Sequence, residues 1–552
     1  MHKFTRLSTI AMFGTLVLGA AGCSNTKYDI ELWHNFGAGY TTKFNDSLTY
    51  PVQTAKGIAI KATSKGSYDG ILESITKTLS TRDFPNIATG YPDHLSTYAK
   101  SGYPASPTGV LLNLNDYLDD PELIAEHKEA TKTESNPNGY SFREDYYEEY
   151  MVENNTICYD GNDDPNLEKA LTVGVPFNKS TEVLGYNGVF VDYAKTQDAS
   201  LKIPTTWEEM KTMGPKYRAI QMSLSGKYLC GDQTEEGTAS NFKVVEKNAL
   251  SDSDKVLLDF TEVTNDNETS VFSWDSMANM FITLVRQFGA EFTSYTFEDR
   301  HQSQLVNRHG YMEFYSGDNA AKTVAAMEMV RELAGDPTKP EERIFTTPKV
   351  LGGQYASAAF AQNKVMFTIC STGGLSYNLN EDQRFRVAPI PYKDAEHKYV
   401  ISQGANMTIF ERNSKDKPDD YNLAQVSKMA FDTVVRMTTG DCQAEWAILT
   451  GYYPASRSAM ESKKYQEFIN PSTIDYSDSE RVAYIESAQL NAKEYMDASK
   501  GWIKFVDPGF DGSATIRNRV DGIIGDIVTE STKSIEEILE SYYSALSTYV
   551  RK

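Results

Sequence analysis

The chain of 552 residues has few cysteines and none of the short motifs that mark common catalytic centres. HExxH, GxSxG, GxGxxG and the phosphate-binding P-loop pattern are all absent, and the seven histidines are scattered. No Cys-x-x-Cys pair occurs, which excludes a zinc ribbon or a thioredoxin-type motif. We expect buried free thiols at Cys158, Cys230, Cys370 and Cys442. The alternative is that two of them form a disulfide. The sequence therefore gives no positive indication of an enzyme, and no cofactor is expected.

Basic residues and long apolar runs are also scarce. Lysine and arginine number 54 against 76 aspartates and glutamates, a formal net charge of −22 at pH 7. A surface of this charge repels polyanions, so nucleic acid is excluded as a partner. Beyond the first residues, no apolar run approaches the ~20 residues of a membrane-spanning helix.

The start of the chain contains its one sustained apolar stretch. Leu7 to Gly22 spans 16 residues and follows a head that carries Lys3 and Arg6. The stretch is shorter than the ~20 residues that a spanning helix needs. A charged head, a short apolar stretch and small residues before a cleavage point together predict an export signal. We expect residues 1–22 to be a signal peptide.

A cysteine follows this signal directly. The Ala-Ala-Gly before Cys23 resembles the lipobox of bacterial lipoproteins, with Ala20 where leucine is commoner. The resemblance implies cleavage before Cys23 and acylation of the new N-terminus, with 23–28 as a tether to the extracellular face of the cell membrane. The alternative is an ordinary secreted protein in which Cys23 is incidental. On the first interpretation the mature protein is 23–552.

The remaining 530 residues, 552 less the 22 of the signal, are long enough for two or more domains. Tyr28, Ile30 and Leu32 alternate with polar residues, which predicts a strand. Apolar residues on one face predict a helix over 68–81, and 84–94 is typical of a short strand that runs into a loop. Strand, helix and strand in this order indicate a parallel α/β layer.

Further along, the spacing of Thr206 and Glu209 predicts the capped start of a helix. A second helix is expected over 423–437, with Leu423 among its inward residues, and a last one from near Ser534.

Three polar stretches do not fit this α/β pattern. Residues 225–272 and 458–498 are expected to be surface elaborations. The acidic residues of 160–168 have a spacing that would suit calcium, but the bidentate glutamate of an EF-hand loop is missing. We expect a solvated turn there and assign no metal site.

Five segments resemble, in the same order, the extracellular solute-binding proteins of ABC sugar importers, in the group that contains the maltodextrin and glycerol-3-phosphate binders. "VPFNKSTEVLGYN" is the most specific of them, and a late segment carries the Gly-Tyr-x-Pro signature. Their positions are 66–102, 175–187, 364–378 with 385–392, 401–410 and 444–459.

The resemblance implies an α/β, two-lobe periplasmic-binding-protein-like fold of type II. The lobes are discontinuous and enclose a hinge cleft that closes on the ligand. We place the passages between lobes near Gly174, Val387 and Gly440. The first lobe is then 29–174 and 387–440, and the second is 175–386, with an insertion at about 225–272, and 441–552.

A sugar site needs aromatic rings for C–H faces and polar groups for hydroxyls. Similarity to the glycerol-3-phosphate binder implicates Tyr68, Ser180, Ser371, Gly404, Tyr452 and Arg517. Where that relative has glutamate this chain has Pro92, so Asp93 becomes the substitute. The complete predicted set is Tyr68, Asp93, Ser180, Glu182, Trp274, Ser371, Gly404, Asn406, Tyr452 and Arg517.

The resemblance implies a monomeric, non-enzymatic protein that captures a carbohydrate and delivers it to ABC permease subunits in the membrane. Asp93 and Glu182 outnumber the single well-matched cation, Arg517, which favours a neutral sugar over a phosphate ester. Capture of glycerol-3-phosphate or a related phosphodiester remains the alternative. From other classes, a carbohydrate-active enzyme would need a positioned carboxylate pair, and an adhesin would have a blocked cleft.

Overall fold

The structure is a computed structural model that describes residues 28–99, 108–155, 158–159, 170–234, 237–263, 268–296, 309–380, 384–412, 422–510 and 512–551. Cys23, the predicted signal peptide and the acidic run at 160–168 lie outside these residues. Among the helices of the described ranges, none combines the length and apolar character that a membrane crossing requires.

The strands of the described residues are distributed along the whole chain. In chain order they are β1 (Ile30–His34), β2 (Ile60–Ser64), β3 (Ile87–Gly90), β4 (Cys158–Tyr159), β5 (Ala170–Leu171), β6 (Val175–Pro176), β7 (Ser180–Asn187), β8 (Lys227–Gln233), β9 (Ala239–Glu246), β10 (Val256–Asp259), β11 (Ser270–Trp274), β12 (Thr293–Thr296), β13 (His309–Met312), β14 (Phe345–Thr346), β15 (Val365–Ser371), β16 (Phe385–Ala388), β17 (Tyr399–Gln403), β18 (Asn406–Ile409) and β19 (Ile503–Phe505).

The helices alternate with these strands in most of the chain. They are α1 (Ala38–Phe44), α2 (Tyr50–Lys56), α3 (Tyr68–Thr78), α4 (Pro92–Ala99), α5 (Asn115–Leu118), α6 (Pro121–Ala130), α7 (Phe142–Asp145), α8 (Glu148–Asn155), α9 (Gly188–Gln197), α10 (Trp207–Leu224), α11 (Met277–Gln287), α12 (Gly317–Ala334), α13 (Ala356–Ala361), α14 (Leu423–Thr438), α15 (Gly440–Thr450), α16 (Arg457–Met460), α17 (Lys463–Ile469), α18 (Ser479–Leu490), α19 (Ser513–Thr529) and α20 (Ile535–Ser544).

The first lobe is built on a sheet with the strand order β2-β1-β3-β18-β6. β1 is parallel to both β2 and β3, as the order strand, helix, strand predicted, whereas β18 is antiparallel to β3. Helices such as α14 cover this sheet, and buried residues including Ile30, Leu32 and Val434 form its core.

The second lobe is built on a larger sheet with the order β14-β11-β15-β7-β17-β19, in which β16 also pairs with β7. Its core is a separate hydrophobic cluster that includes Trp207, Phe272 and Phe367. Two sheets with separate cores confirm the predicted α/β fold with two lobes.

Local sequence signals explain several helix starts. The Ser67 side chain accepts a hydrogen bond from the backbone of Gly70 and begins α3, and Thr206 does the same for α10 from Glu209. Two expectations were wrong. The segment after β3 is the helix α4 rather than a loop, since Pro92 suits a first helical turn. Leu423 is 41% exposed, because it stands at the first turn of α14 before that helix reaches the core.

The polypeptide passes between the lobes three times. The first passage lies between β6 and β7, at residues 177–179. The second was predicted near Val387, but β16 and β17 both pair with β7, so the chain returns at residues 404–405. The third was predicted near Gly440, but α15 begins there and places Trp446 in the first core. The chain leaves that lobe only after α15, and α18 packs against β16.

The segment expected as an insertion at 225–272 forms its own small sheet. β8, β9 and β10 pair in the order β10-β8-β9, all antiparallel. The segment is not purely a surface elaboration, because Leu229 and Leu258 are buried in the second core. Its end overlaps β11, a strand of the main sheet.

The cysteines that the structure describes with their side chains are free thiols, which agrees with the expected free thiols. Cys230 and Cys370 are buried and Cys442 is half-buried. Burial raises the pKa of all three thiols. The side chain of Cys158 is outside the described set.

Candidate functional site

A cleft of about 370 Å³ lies between the two lobes. The first lobe contributes the starts of α3 and α4 and the helix α8. The second contributes the end of β17, the segment after β19 and the helix α19. The residues that line it are Ser67, Tyr68, Asp69, Tyr91, Pro92, Asp93, His94, Glu153, Ile401, Ser402, Gln403, Gly404, Val506, Asp507, Pro508, Gly509, Ser513, Ala514, Arg517 and Asn518.

The sheet topology explains why these segments meet. β1, β2 and β3 are parallel, so their carboxyl ends, and the helices that follow, share one edge of the first sheet. β17 and β19 are parallel as well, which brings Gln403 and Asp507 together in the second lobe. Ligand sites of α/β proteins lie at such carboxyl edges. The cleft lies where the carboxyl edges of the two sheets face each other.

The lobes touch across the cleft in this structure. A Cβ on Gly509 would lie 2.6 Å from Cβ of Pro92, so the two backbones are close. Pro92 begins α4 in the first lobe and Gly509 precedes α19 in the second. The cleft is therefore closed at this point.

One wall of the cleft is aromatic. The rings of Tyr68 and Tyr91 are 4.6 Å apart at 57°, and the ring of Tyr91 meets His94 edge-on at 6.0 Å. Burial raises the pKa of both phenols, so they stay neutral hydrogen-bonding groups. The ring of Tyr452 packs against Gly373, and Tyr452 is near enough to Tyr68 to raise the pKa of that phenol further. Tyrosines of this kind offer flat apolar faces together with polar tips.

Carboxyl groups come from both lobes. Asp69 and Asp93 flank His94, whose Nε2 is 3.8 Å and 4.0 Å from their Oδ1 atoms. Asp507 enters from the second lobe and accepts a hydrogen bond of 2.5 Å from Thr293 Oγ1. Burial raises the pKa of Asp507 to about 6.

Beneath the second-lobe wall lies a chain of hydrogen bonds. Arg517 Nη2 and Gln403 Nε2 both donate to Asn279 Oδ1. Asn279 Nδ2 in turn donates to Glu182 Oε1 at 2.8 Å, and Trp274 Nε1 donates to the same oxygen at 2.9 Å. Burial outweighs these donors and raises the pKa of Glu182 to about 7. This network fixes the position of Arg517.

A second network joins the passages at the base of the cleft. Lys179 is fully buried, and its Nζ lies 2.9 Å from Glu153 Oε2 and 3.2 Å from Asn406 Oδ1. The same Nζ donates to the carbonyl of Gly404 at 3.4 Å, and the Lys179 carbonyl accepts from Tyr453 N at 2.7 Å. All three passages therefore meet at one lysine.

The cleft contains four of the ten residues that the sequence nominated. Tyr68 and Asp93 line it from the first lobe, and Gly404 and Arg517 line it from the passage and the second lobe. Three more lie beside it. Ser371 Oγ donates to Ser180 Oγ at 3.1 Å, and Tyr452 stands in the third passage next to Tyr68.

The other three predicted contact residues, Glu182, Trp274 and Asn406, do not line the cleft. Trp274 and Asn406 are fully buried and Glu182 is 2% exposed. Their polar groups bond to Asn279, to Lys179 and to one another. The sequence identified polar residues of the right type, but three-dimensional packing puts these side chains under the cleft wall.

Tyr91, Glu153 and Asp507 are among the lining residues that sequence reasoning missed. Tyr91 follows β3 directly, and Asp507 comes two residues after β19 in the sequence Asp-Pro-Gly, so strand-end position was an available signal for both. Glu153 stands in the middle of α8 and reaches the cleft through the fold alone. No sequence signal distinguishes it from the acids around it.

A larger cavity, about 880 Å³, lies outside the cleft among helices such as α2, α6, α14 and α17. Lys56 and Asp432 both line it and pair with each other, Nζ to Oδ2, at 3.1 Å, and the lining His127 bonds through Nε2 to the buried Asp145 Oδ2 at 2.9 Å. No strand end opens into it within the described residues. We therefore assign the functional site to the cleft.

Metal ligation is not a feature of the cleft in the part of the chain that is described. A group with ligand atoms within 4.8 Å of one another, formed by Asp394, Glu396 and His397, lies on the loop between β16 and β17. His397 Nδ1 is 2.6 Å from Asp394 Oδ1, and this hydrogen bond explains the position of the histidine without a metal.

Solved structures with this fold share most of the chain at low identity. UgpB from Mycobacterium tuberculosis, in complex with glycerophosphocholine, has a TM-score of 0.58 and 13% identity, covering 94% of this chain and 98% of its own. The maltose/maltodextrin-binding domain MalE from Bdellovibrio bacteriovorus, bound to maltotriose, has 0.54 and 12%, covering 95% and 100%. An ABC substrate-binding protein from Listeria monocytogenes, in complex with cycloalternan, has 0.55 and 13%, covering 94% and 97%. These likenesses show the fold.

Sequence comparison identifies the family. A search of curated proteins gave no significant match. The profile of the family described as bacterial extracellular solute-binding protein matches residues 42–470, more than three quarters of the chain. Apart from β1 and β19, the strands of both main sheets lie within that range, as do 12 of the 20 residues that line the cleft. The chain therefore belongs to the family of bacterial extracellular solute-binding proteins.

Proposed function

We propose that the protein captures a carbohydrate in the cleft and delivers it to an ABC permease. The observation that carries this proposal is the pairing of the Tyr68 and Tyr91 rings with carboxyl groups from both lobes. Tyrosine faces cover the C–H surfaces of a sugar, and carboxylates accept hydrogen bonds from its hydroxyls. The related folds that bind maltotriose and cycloalternan support the same ligand class.

The proposed mechanism is hinge closure without chemistry. We propose residues 177–179, 404–405 and 451–456 as the hinge, since the chain passes between the lobes there. A ligand that contacts both lobes binds the closed form more tightly and shifts the population towards it. The permease then distinguishes the closed form from the open one, which couples capture to transport.

A phosphate ester is the second candidate. UgpB, which shares the fold, is in complex with glycerophosphocholine. The cleft itself favours a neutral or cationic ligand, because Arg517 is its one full cation among the described lining residues and already donates to Asn279. Carboxylates near a phosphate would oppose its binding.

A thermal-shift screen tests the ligand class. The mature chain is heated with neutral sugars, oligosaccharides, glycerol-3-phosphate and glycerophosphocholine. A ligand that binds only the folded state stabilises it by about 2.7 kcal/mol at one hundred times its Kd. We expect a rise in melting temperature with a carbohydrate. A rise with glycerol-3-phosphate or glycerophosphocholine alone would replace the carbohydrate with a phosphate ester.

We also propose that the protein is exported, cleaved before Cys23 and held by lipid at the outer face of the cell membrane. The motif before Cys23 and membership of an extracellular family support this. Membrane fractionation of Cys23→Ala, with Cys442→Ala as the control, tests it. We expect the first variant in the soluble fraction and the second on the membrane. Full membrane retention of Cys23→Ala would refute the anchor.

A further inference from the structure

The cleft carries more negative charge than a neutral sugar needs. Four carboxyl side chains line it, at Asp69, Asp93, Glu153 and Asp507, against the guanidinium of Arg517. Lys179 lies behind the wall and pairs with Glu153. Once Glu153 is paired with Lys179, three lining carboxyl groups remain against the one lining guanidinium. The excess is shared by both lobes, because Asp93 enters from the first and Asp507 from the second.

The cleft wall contains a carboxylate oxygen, Oε1 of Glu153, that accepts no hydrogen bond from the described residues. The residue lines the cleft and is only 4% exposed. Its Oε2 accepts from Lys179 and Asn406, whereas its Oε1 is buried without a hydrogen-bond partner among the described residues. A buried carboxylate oxygen without a donor is costly, so a ligand N–H or O–H is expected to complete it.

The single lining cation already donates to the protein. Arg517 Nη2 donates to Asn279, which is anchored to the buried Glu182. Burial, together with Asp93, raises the pKa of Asp507 to about 6, although the charges of Arg517 and Arg286 act to lower that pKa. One donor of the guanidinium is therefore committed to a protein acceptor, and the charges of Arg517 and Arg286 do not offset the burial of Asp507.

The aromatic wall is equally suited to positive charge. Tyr68 and Tyr91 stand beside Asp69 and Asp93. Burial raises the pKa of the Tyr91 phenol, the charge of Arg517 lowers it, and the two carboxylates raise it further. A cation over a tyrosine face is attracted by the ring, and the attraction strengthens when water is excluded. Carboxylates around a pair of tyrosine rings form a site for an ammonium group.

We propose that the ligand is a cationic carbohydrate, a sugar that carries a protonated amine between the carboxylates of Asp93, Glu153 and Asp507. The proposal rests on the proposed function and narrows its ligand class to amino sugars. The sugar ring packs on Tyr68 and Tyr91, and the ammonium group donates to the carboxylates. Closure of the lobes brings Asp93 and Asp507 onto the same group, so its charge contributes to closure.

Calorimetric titration with two matched disaccharides tests this. The probes are the β-1,4-linked disaccharide of glucosamine and its N-acetylated, neutral counterpart, titrated near neutral pH. We expect the amine form to bind roughly ten- to a hundredfold more tightly, as a charged hydrogen-bonded pair implies. Its affinity should also fall with added salt, whereas that of the neutral form should not.

Variants locate the effect. Asp507→Asn and Asp93→Asn keep the shape of the wall and should each reduce the preference for the amine about tenfold or more. Asp475→Asn, in a surface turn where Asp475 bonds to Ser477, should leave the preference unchanged. Melting temperatures of the ligand-free variants show whether each one is folded.

The outcomes separate this inference from the proposed function. Equal affinity for the two disaccharides, or tighter binding of the neutral one, overturns the amino-sugar assignment and leaves carbohydrate capture intact. Binding of neutral oligosaccharides with neither probe bound has the same meaning. If no carbohydrate of any kind binds, the proposed function fails and this inference fails with it.

Discussion

Glu182 is a carboxyl group that the fold buries beneath the cleft without a basic partner in hydrogen-bonding contact. It is 2% exposed, its Oε1 accepts from Trp274 and Asn279, and its Oε2 has no partner in the described part of the chain. Burial is the largest influence on its ionisation and raises its pKa to about 7. Glu182 therefore positions Asn279 and, through it, Arg517. Its burial lowers the free energy of unfolding by an amount that grows with pH.

Glu182→Gln should change how stability depends on pH. The folded pKa of about 7 exceeds the reference value of 4.5, so the folded state binds the proton more tightly. The free energy of unfolding then falls as pH rises from 4.5 through 7, by up to about 3 kcal/mol. Urea unfolding at pH 5 and pH 8 measures this. We expect a smaller fall in Glu182→Gln than in the wild type, and an unchanged fall in the exposed control Glu467→Gln. Equal falls in all three would contradict this account.

Lys179 is a further buried charge, and its partner makes it a stability determinant. It is fully buried with Glu153 at 2.9 Å. Lys179→Met leaves that carboxylate buried and unpaired, which should cost about 3–5 kcal/mol of unfolding free energy. The double variant Lys179→Met/Glu153→Gln should recover part of this loss. Chemical denaturation checks both, with Lys77→Met on the surface of α3 as a control that changes little.

If Lys179→Met is no less stable than Lys77→Met, the passages are not held together by this ion pair. A double variant as unstable as the single one would show that the lysine acts through packing rather than charge.

At the scale of elements, the passages between lobes depend on backbones that approach closely. β17 and β18 are joined by Gly404 and Ala405, and a Cβ on Gly404 would overlap the carbonyl of Asn178 in the first passage. Gly404 also has a positive φ of 157°. The two passages can therefore lie side by side only with glycine at this position.

Gly404→Ala should lower the free energy of unfolding by about 3 kcal/mol, because the added methyl group has no room. Gly39→Ala is a matched control, since Gly39 lies in α1 with open space around its Cβ position. That change should stabilise the helix by about 0.5–1 kcal/mol. Denaturant unfolding compares the two. Similar small effects would mean that the passages have room to separate.

For the whole molecule, function depends on how the two lobes approach each other. Pro92 and Gly509 are in contact across the cleft and belong to different lobes. No ion pair joins α4 to α19 among the described residues. The lobes are therefore expected to separate at this point when the cleft is empty and to meet again when a ligand contacts both walls.

The variant Pro92→Cys/Gly509→Cys reports on this motion. A Cβ at position 509 would lie 2.6 Å from that of residue 92, so about 1 Å of opening reaches disulfide geometry and a cross-link should form in a nearly closed state. A carbohydrate that binds the cleft should accelerate cross-linking under mild oxidation, as followed by gel mobility. A single Pro92→Cys variant controls for oxidation at other thiols. An unchanged rate with a bound ligand would show that closure does not accompany binding.

The sequence predicted the architecture better than the connections within it. β1, α3 and β3 follow from short-range patterns, because alternation and one-sided helices are local properties of the chain. The position of the second passage was wrong, since the pairing of β16 and β17 with β7 joins residues about 200 positions apart.

The same division applies to the cleft. Tyr68, Asp93 and Arg517 stand at or near the starts of helices and were identified in advance. Glu153 lies within α8 and Asn279 in the first turn of α11, and only the packing of distant elements gives them a place in the site. Residue type within family-like loops suggested Trp274 and Asn406 as contacts, but burial against other polar groups is a property of the complete fold.

The central claim is that the cleft between the lobes holds a carbohydrate. Calorimetric titration of the wild type, Tyr68→Ala and Tyr355→Ala with the carbohydrate that shifts melting most is the most direct test. Tyr355 is a matched tyrosine, 68% exposed and outside the cleft. We predict that Tyr68→Ala weakens binding about tenfold or more while Tyr355→Ala matches the wild type. Equal affinity in all three proteins, or no carbohydrate binding by the wild type, would contradict the account.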